Sequence, residues 1–147
     1  GIIPLGGSKM NDYIINFLKE IMAIDSPSGY TKEVIHHCQK EAENLGFHTH
    51  QTNKGNLEIY VEGQDDYTVG FCGHVDTLGL MVRSIKSDGT LAFTNVGGPI
   101  IPTLDGEYCR IHTRSGKCYT GTILSNYPAV HVYKDAKVHR EIVKICM

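Results

Sequence analysis

A change of hydrophobic period at Gly46 restricts the fold of this chain more than any other feature: apolar residues recur at helical spacing before it and alternate after it. From Asn11 onward, Ile14, Ile15, Phe17, Leu18, Ile21 and Met22 predict an amphipathic helix with one buried stripe, behind an Asn11 or Asp12 cap. Ser26-Pro27-Ser28-Gly29 stops it. A second helix is predicted from Thr31, with Val34, Cys38, Ala42 and Leu45 on one face and Gly46 suited to a left-handed C-terminal cap. Beyond Gly46, residues 47–51 and then Leu57, Ile59 and Val61 alternate with polar residues about Asn53-Lys54-Gly55, the pattern of a hairpin. Tyr67-Thr68-Val69-Gly70-Phe71-Cys72-Gly73 is mostly apolar, as expected of a strand buried on both faces of a sheet.

The second half reads as β throughout. Residues 78–85, a Ser87-Asp88-Gly89 turn, residues 91–95 and a Gly97-Gly98 break are followed by a hairpin of residues 108–113 and 118–124 about Arg114-Ser115-Gly116. No helical period follows residue 80 except in the polar tail. The fold class is therefore α/β, helices plus a mixed sheet, followed by a β-rich barrel-like or sandwich-like part, with the boundary near Leu78.

A length of 147 residues with 41% hydrophobic content suffices for about one domain with a real core. Fourteen Lys and Arg against sixteen Asp and Glu give no basic field for nucleic acid. Cysteines 38, 72, 109, 118 and 146 form no CxxC pair and are odd in number, the pattern of reduced thiols in a cytoplasmic protein. No apolar run reaches membrane-spanning length, so no membrane partner is expected. Residues 1–9 (GIIPLGGSK) precede the first methionine and read as a vector-derived leader, leaving residues 10–78 and 79–147 as the two parts to be folded.

Chemistry concentrates in Gly73-His74-Val75-Asp76-Thr77-Leu78-Gly79. Residues two apart in extended backbone share a face, so His74 and Asp76 project together from the carboxyl end of a strand, where open α/β sheets place ligand sites. A metal-binding imidazole works best when its other ring nitrogen donates to a carboxylate. His74 is thus the candidate metal ligand and Asp76 the candidate residue that orients it. Taken alone, His-x-Asp more often marks a hydrogen-bonded strand-end histidine beside a turn-capping carboxylate.

The stretch GHVDTLGLMVRSIKSDGTLAFTNVGG resembles the first metal motif and following strands of the glutamyl and deblocking aminopeptidases, tetrahedral co-catalytic metallopeptidases that include proteins labelled endoglucanase. Ser26-Pro27-Ser28-Gly29, Asn53-Lys54-Gly55-Asn56-Leu57, Gly106-Glu107-Tyr108-Cys109, Gly121-Thr122-Ile123-Leu124 and His131-Val132-Tyr133-Lys134-Asp135 follow the order of the deblocking branch, so the likeness covers residues 10–135. It implies a zinc-exopeptidase-like catalytic domain interrupted, after the His-x-Asp strand, by a β-rich dimerisation-type domain. It also implies peptide substrates, homo-oligomeric assembly, and two divalent metal ions, zinc or cobalt, with a nearby glutamate as general base. By the same resemblance the bridging Asp, the paired Glu residues and the distal His belong beyond Met147, which predicts a chain inactive by itself. Thr77 stands where the family commonly carries Glu, which is similar to the deblocking branch and leaves substrate preference open. KVHREIVKICM, residues 137–147, departs from the acidic, strand-like sequence expected there, so a truncated or frameshifted reading is expected. Two other readings remain at this point: a different His-x-Asp zinc exopeptidase or deacylase, and a non-catalytic β-rich assembly module.

The other histidines read differently. His36 and His37 fall on the second helix; His48 and His50 share one face of a strand without a third ligand at suitable spacing; His112, His131 and His139 lie in the β-rich half. All are read as structural or surface residues. Cys109 and Cys118 fall where they could face each other across their hairpin, but both are expected to be reduced core thiols, and Cys72 a buried apolar thiol.

Overall fold

The computed structural model describes residues 7–125, 131 and 143–146, with backbone only for 8 and 143–146. These fall into two compact units, Gly1–Thr77 and Leu78–Met147. The first holds helices α1 (Gly7–Ala23) and α2 (Lys32–Asn44) and a hairpin of β1 (His48–Gln51) and β2 (Leu57–Tyr60). The second holds β3 (Gly79–Ile85), β4 (Leu91–Val96), a short 3-10 helix (Ile101–Leu104), β5 (Tyr108–His112), β6 (Cys118–Ser125) and β7 (Val143–Cys146).

Helix α1 begins before the expected cap at Asn11, taking in Gly7, Ser8 and Lys9 of the supposed leader; residues 1–6 lie outside the described residues. Its stripe is narrower than the sequence predicts. Tyr13, Phe17 and Ile21 are half-buried, while Ile14, Ile15, Leu18 and Met22 are exposed. Contact with α2 runs through polar and aromatic groups: Tyr13 donates to Glu41 at 2.6 Å, the Phe17 ring stacks on His37 with centroids 5.6 Å apart, and His37 meets Glu20 at 3.1 Å. That contact gives His37 its structural place.

Helix α2 buries Val34 and Ala42, with Cys38 half-buried; Leu45, expected on the same face, is exposed. Its end is a Schellman motif. The Phe47 amide donates to the Ala42 carbonyl at 3.0 Å and the Gly46 amide to Glu43 at 2.9 Å, which requires the left-handed φ of +87° that Gly46 adopts. The hairpin forms as predicted, antiparallel, with Gln51 opposite Leu57. His48 and His50 are both exposed on it.

Residues 67–73 correct the sequence reading. They join no sheet among the described residues, and Tyr67, Val69 and Phe71 lie exposed, the last at 96%. Cys72, expected to be buried, is exposed with them. Apolar composition alone does not make a buried strand; backbone partners on both flanks do, and β1 and β2 pair only with each other.

In the second unit the five strands lie in the order β3-β4-β7-β6-β5, all neighbours antiparallel. Among the described residues no pairing of the edge strands β3 and β5 closes this sheet into the expected barrel-like form. Leu91 and Phe93, two apart on β4, and Ile123 on β6 make its core, flanked by Leu80, Ile101, Leu104, Cys109 and Ile111. Where β4 ends, Gly97 holds φ +77°, and a Cβ there would stand 2.6 Å from Leu78 Cδ2.

Two further readings fail here. Val143–Cys146, within the tail read as lacking strand character, is β7, and it joins β4 to β6 through Leu91 opposite Ile145 and Ile123 opposite Ile145. The register of the β5–β6 hairpin sets Cys109 opposite Gly121 and Cys118 opposite His112, so the two thiols do not face each other. The Cys109 thiol instead donates to the Gly121 carbonyl at 3.5 Å, and burial pushes its pKa up. Residues 132–135 of the last resemblance motif, and His139, lie outside the described residues.

Candidate functional site

The site is built where the segment after α1 lies beside the His-x-Asp segment. After α1 ends, the chain turns tightly: the Tyr30 amide donates to the Pro27 carbonyl at 2.7 Å, and Gly29 takes φ +88°, the glycine position of a type II turn. That turn lays residues 26–28 parallel to 75–77, with Pro27 bridged to Thr77. The Thr77 amide donates to the Ser26 carbonyl at 2.8 Å, and the Ser26 hydroxyl donates to the Val75 carbonyl at 2.9 Å. Ser26 is fully buried, so its hydroxyl would be costly to bury without that acceptor.

These bonds fix the backbone on which His74 and Asp76 stand. One Asp76 oxygen, Oδ2, accepts a hydrogen bond from the Ser28 hydroxyl. The other, Oδ1, lies 3.0 Å from His74 Nδ1, and the Asp76 backbone carbonyl lies 3.1 Å from the same nitrogen. Both neighbours of Nδ1 are acceptors, so Nδ1 carries the proton. In the neutral ring Nε2 then holds the lone pair. The His74 side chain is 85% exposed and Asp76 39%, so Nε2 is open to solvent.

Electrostatics follow the same bonds. The Ser28 hydroxyl above all holds the Asp76 carboxyl below its ordinary value, against the opposing effect of desolvation, and His74 adds a smaller lowering. Asp76 is thereby kept as the anion that accepts from Nδ1.

A divalent metal of the kind bound by imidazoles fits His74 Nε2 by donor chemistry: a lone pair on an exposed ring whose second nitrogen is tied to a carboxylate. Among the described residues no three His, Cys, Asp or Glu side chains come together as a complete ligand set. Cys72, Cys38, Cys109 and Cys118 are free thiols. His36, His48, His50, His112 and His131 make no cluster with His74 among the described residues.

Sequence reasoning brought His74 and Asp76 to one place but read Ser26 and Ser28 as a helix stop and a resemblance motif, with no part in the site. Ser28 lies 48 residues from Asp76, so no local spacing could link them.

With the fold and the His74–Asp76 corner described, the chain can be set beside the known proteins it is similar to. The family model described as M42 glutamyl aminopeptidase matches residues 55–145, and the chain belongs to that family. It is 43% identical, over 123 residues, to the Bacillus subtilis (strain 168) protein named "Putative aminopeptidase YhfE", covering 83% of this chain and 36% of that protein. Among solved structures, it is similar to the TET aminopeptidase of the marine sediment archaeon Thaumarchaeota archaeon SCGC AB-539-E09, with a TM-score of 0.79, 25% identity, and coverage of 89% of this chain and 37% of that one. It is similar also to the TET1 peptidase of Pyrococcus horikoshii, which can assemble into a tetrahedron or a large octahedral shell, with a TM-score of 0.73, 26% identity, and coverage of 90% and 39%. The chain thus spans well under half the length of each of these relatives.

Proposed function

We propose that this chain supplies the first metal ligand of a metal-dependent aminopeptidase that removes N-terminal residues from peptides. The observation that carries this reading is the pair of acceptors on His74 Nδ1, which leaves Nε2 as the nitrogen able to ligate. Asp76 fixes the tautomer and holds the ring in place. Two divalent ions, zinc or cobalt, when bound polarise the scissile carbonyl and activate the attacking water. Family membership supports this reading over another His-x-Asp exopeptidase or deacylase, with which the His74 geometry would be shared.

The rest of the reading concerns the longer protein that the relatives represent. Residues 10–78 form the N-terminal part of its catalytic domain, and the unit after them is an inserted, barrel-like assembly domain. Homo-oligomerisation is part of the proposal, supported by the assemblies of the Pyrococcus horikoshii relative. No nucleic-acid or membrane partner belongs to it: charge is nearly balanced, and among the described residues no helix is long and apolar enough to cross a membrane. A cytoplasmic location completes it, supported by the free thiols.

Among the described residues the site offers one imidazole, whereas a catalytic zinc takes about three protein ligands. Zinc added to the 15N-labelled chain is therefore expected to bind weakly and move the His74 Nε2 resonance first, with the effect gone in His74→Ala. Peptide hydrolysis by the same sample is expected to be undetectable. Zinc acting on other histidines while His74 Nε2 stays unmoved overturns the ligand assignment, and robust metal-dependent release of N-terminal residues overturns the inactivity.

A further inference from the structure

The His-x-Asp corner is held from outside itself. Asp76 has two carboxylate oxygens with two different duties: Oδ1 faces His74 Nδ1, and Oδ2 takes the Ser28 hydroxyl. A carboxylate rotating about its last side-chain bond could satisfy Nδ1 in several orientations, since this sp2 terminus has a broad torsional well. One strong donor on Oδ2 removes that freedom. Ser28 can be that donor because Pro27 is bridged to Thr77, which fixes the spacing of the two segments, and because Gly29 turns the chain away immediately afterwards.

We propose that Ser28 is a positioning residue: its hydroxyl fixes the Asp76 carboxylate so that His74 stays in the Nδ1–H tautomer with Nε2 free. Its bearing on catalysis rests on His74 being a metal ligand; its bearing on the tautomer does not. Ser26 has the complementary task. Its buried hydroxyl holds the Val75 carbonyl and so sets the backbone from which His74 and Asp76 project. The chain from Ser28 through Asp76 to His74 couples a turn just after α1 to a nitrogen 46 positions further along the sequence, through two hydrogen bonds.

The test is long-range 1H–15N correlation on the 15N-labelled chain at alkaline pH, where imidazoles are neutral and the two tautomers give distinct nitrogen shifts. Wild type is expected to show His74 protonated on Nδ1. Ser28→Ala is expected to lower the ratio of Nδ1–H to Nε2–H by about threefold to tenfold, the weight of one net hydrogen bond. Ser28→Thr, which keeps the hydroxyl, is expected to restore it. In a parallel zinc titration, Ser28→Ala is expected to weaken binding at Nε2 by about tenfold, the lower end of what outer partners of a ligand contribute. Amide shifts of α1 and α2 report the fold; should Ser28→Ala disturb them, Ser28→Cys, close in size and a poor donor, is read in its place with the same expected ratio.

An unchanged tautomer ratio in the substituted, folded chain overturns the proposal and leaves Ser28 as a turn residue. A fall that Ser28→Thr does not restore overturns it too, since the hydroxyl would then not be the cause. Zinc leaving Nε2 untouched in every variant, while the ratio still falls with Ser28→Ala, sinks the metal-ligand reading and spares the positioning role.

Discussion

Both units leave large apolar residues in solvent, Met81, Ile85 and Ile100 in the β unit among them, but among the described residues the β unit alone gathers its buried ones into a cluster. In the β unit, Leu91, Phe93 and Ile123 are buried together and ringed by half-buried neighbours from β3, β5 and the 3-10 helix. Among the described residues of the helical unit, burial is confined to Val34, Ala42 and Ser26, while Ile14, Leu18, Val69 and Phe71 stand in solvent. One region closes its core with its own strands. The other closes only locally, through a helix pair, a hairpin and a clamp on the His-x-Asp segment. Its periodicity asks for neighbours that the described residues do not supply, which is how a sequence reads when it forms part of a larger core.

The strongest way to break this contrast is a pair of aromatic truncations. Phe93→Ala is expected to cost about 3–5 kcal/mol, enough to remove the cooperative unfolding of the β unit, whereas Phe71→Ala should stay within about 0.5 kcal/mol. Urea unfolding followed by circular dichroism checks both, and equal costs would erase the difference between the units. Next in size are two glycines. Gly97→Ala is expected to cost about 1–3 kcal/mol, chiefly from the positive φ, because the Leu78 methyl it meets can swing aside. Gly46→Ala, strained in the same way but facing open space, should cost about 1–2 kcal/mol and shift only the unfolding of the helical unit.

The smallest effect sharpens the helical side. The hydrogen bond to Glu41, then burial and the charges of Glu41 and Glu20, push Tyr13 up to about 12 from 10.0. A raised folded value means that this stabilisation is complete below about pH 10 and is lost as pH climbs toward 12. The hydrogen bond to Glu58 pushes Tyr60 up as well, so an ultraviolet titration of the eight tyrosines should show late titration of which the component near 12 vanishes in Tyr13→Phe. No such component would mean that Tyr13 is not held by Glu41.

Much of the fold was legible because its signals are local. Gly46 ends α2 by a motif that needs only its own backbone, and Asn53-Lys54-Gly55 turns the β1–β2 hairpin over a short distance. Residues 67–73 misled because an apolar run declares burial without naming its neighbours. The stretch around Val143 and Ile145 was missed because its alternation is short and framed by charged residues, and its partners lie on β4 and β6. The site divided likewise. His74 and Asp76, two apart, were readable together, but the hydroxyl that steadies them comes from Ser28, which local spacing could not connect to them.

The place of β7 has a consequence for how the chain is made. The hairpins β3–β4 and β5–β6 join neighbours in sequence and can form as soon as each leaves the ribosome. Their union waits, because Val143–Cys146 is the strand that lies between them. Until those four residues emerge, two half-sheets carry open inner edges, the kind of surface that chaperones guard and that strays into intermolecular pairing. A nascent chain stalled before Val143 should therefore exchange its β4 and β6 amides quickly, and emergence of β7 should lock both in one step.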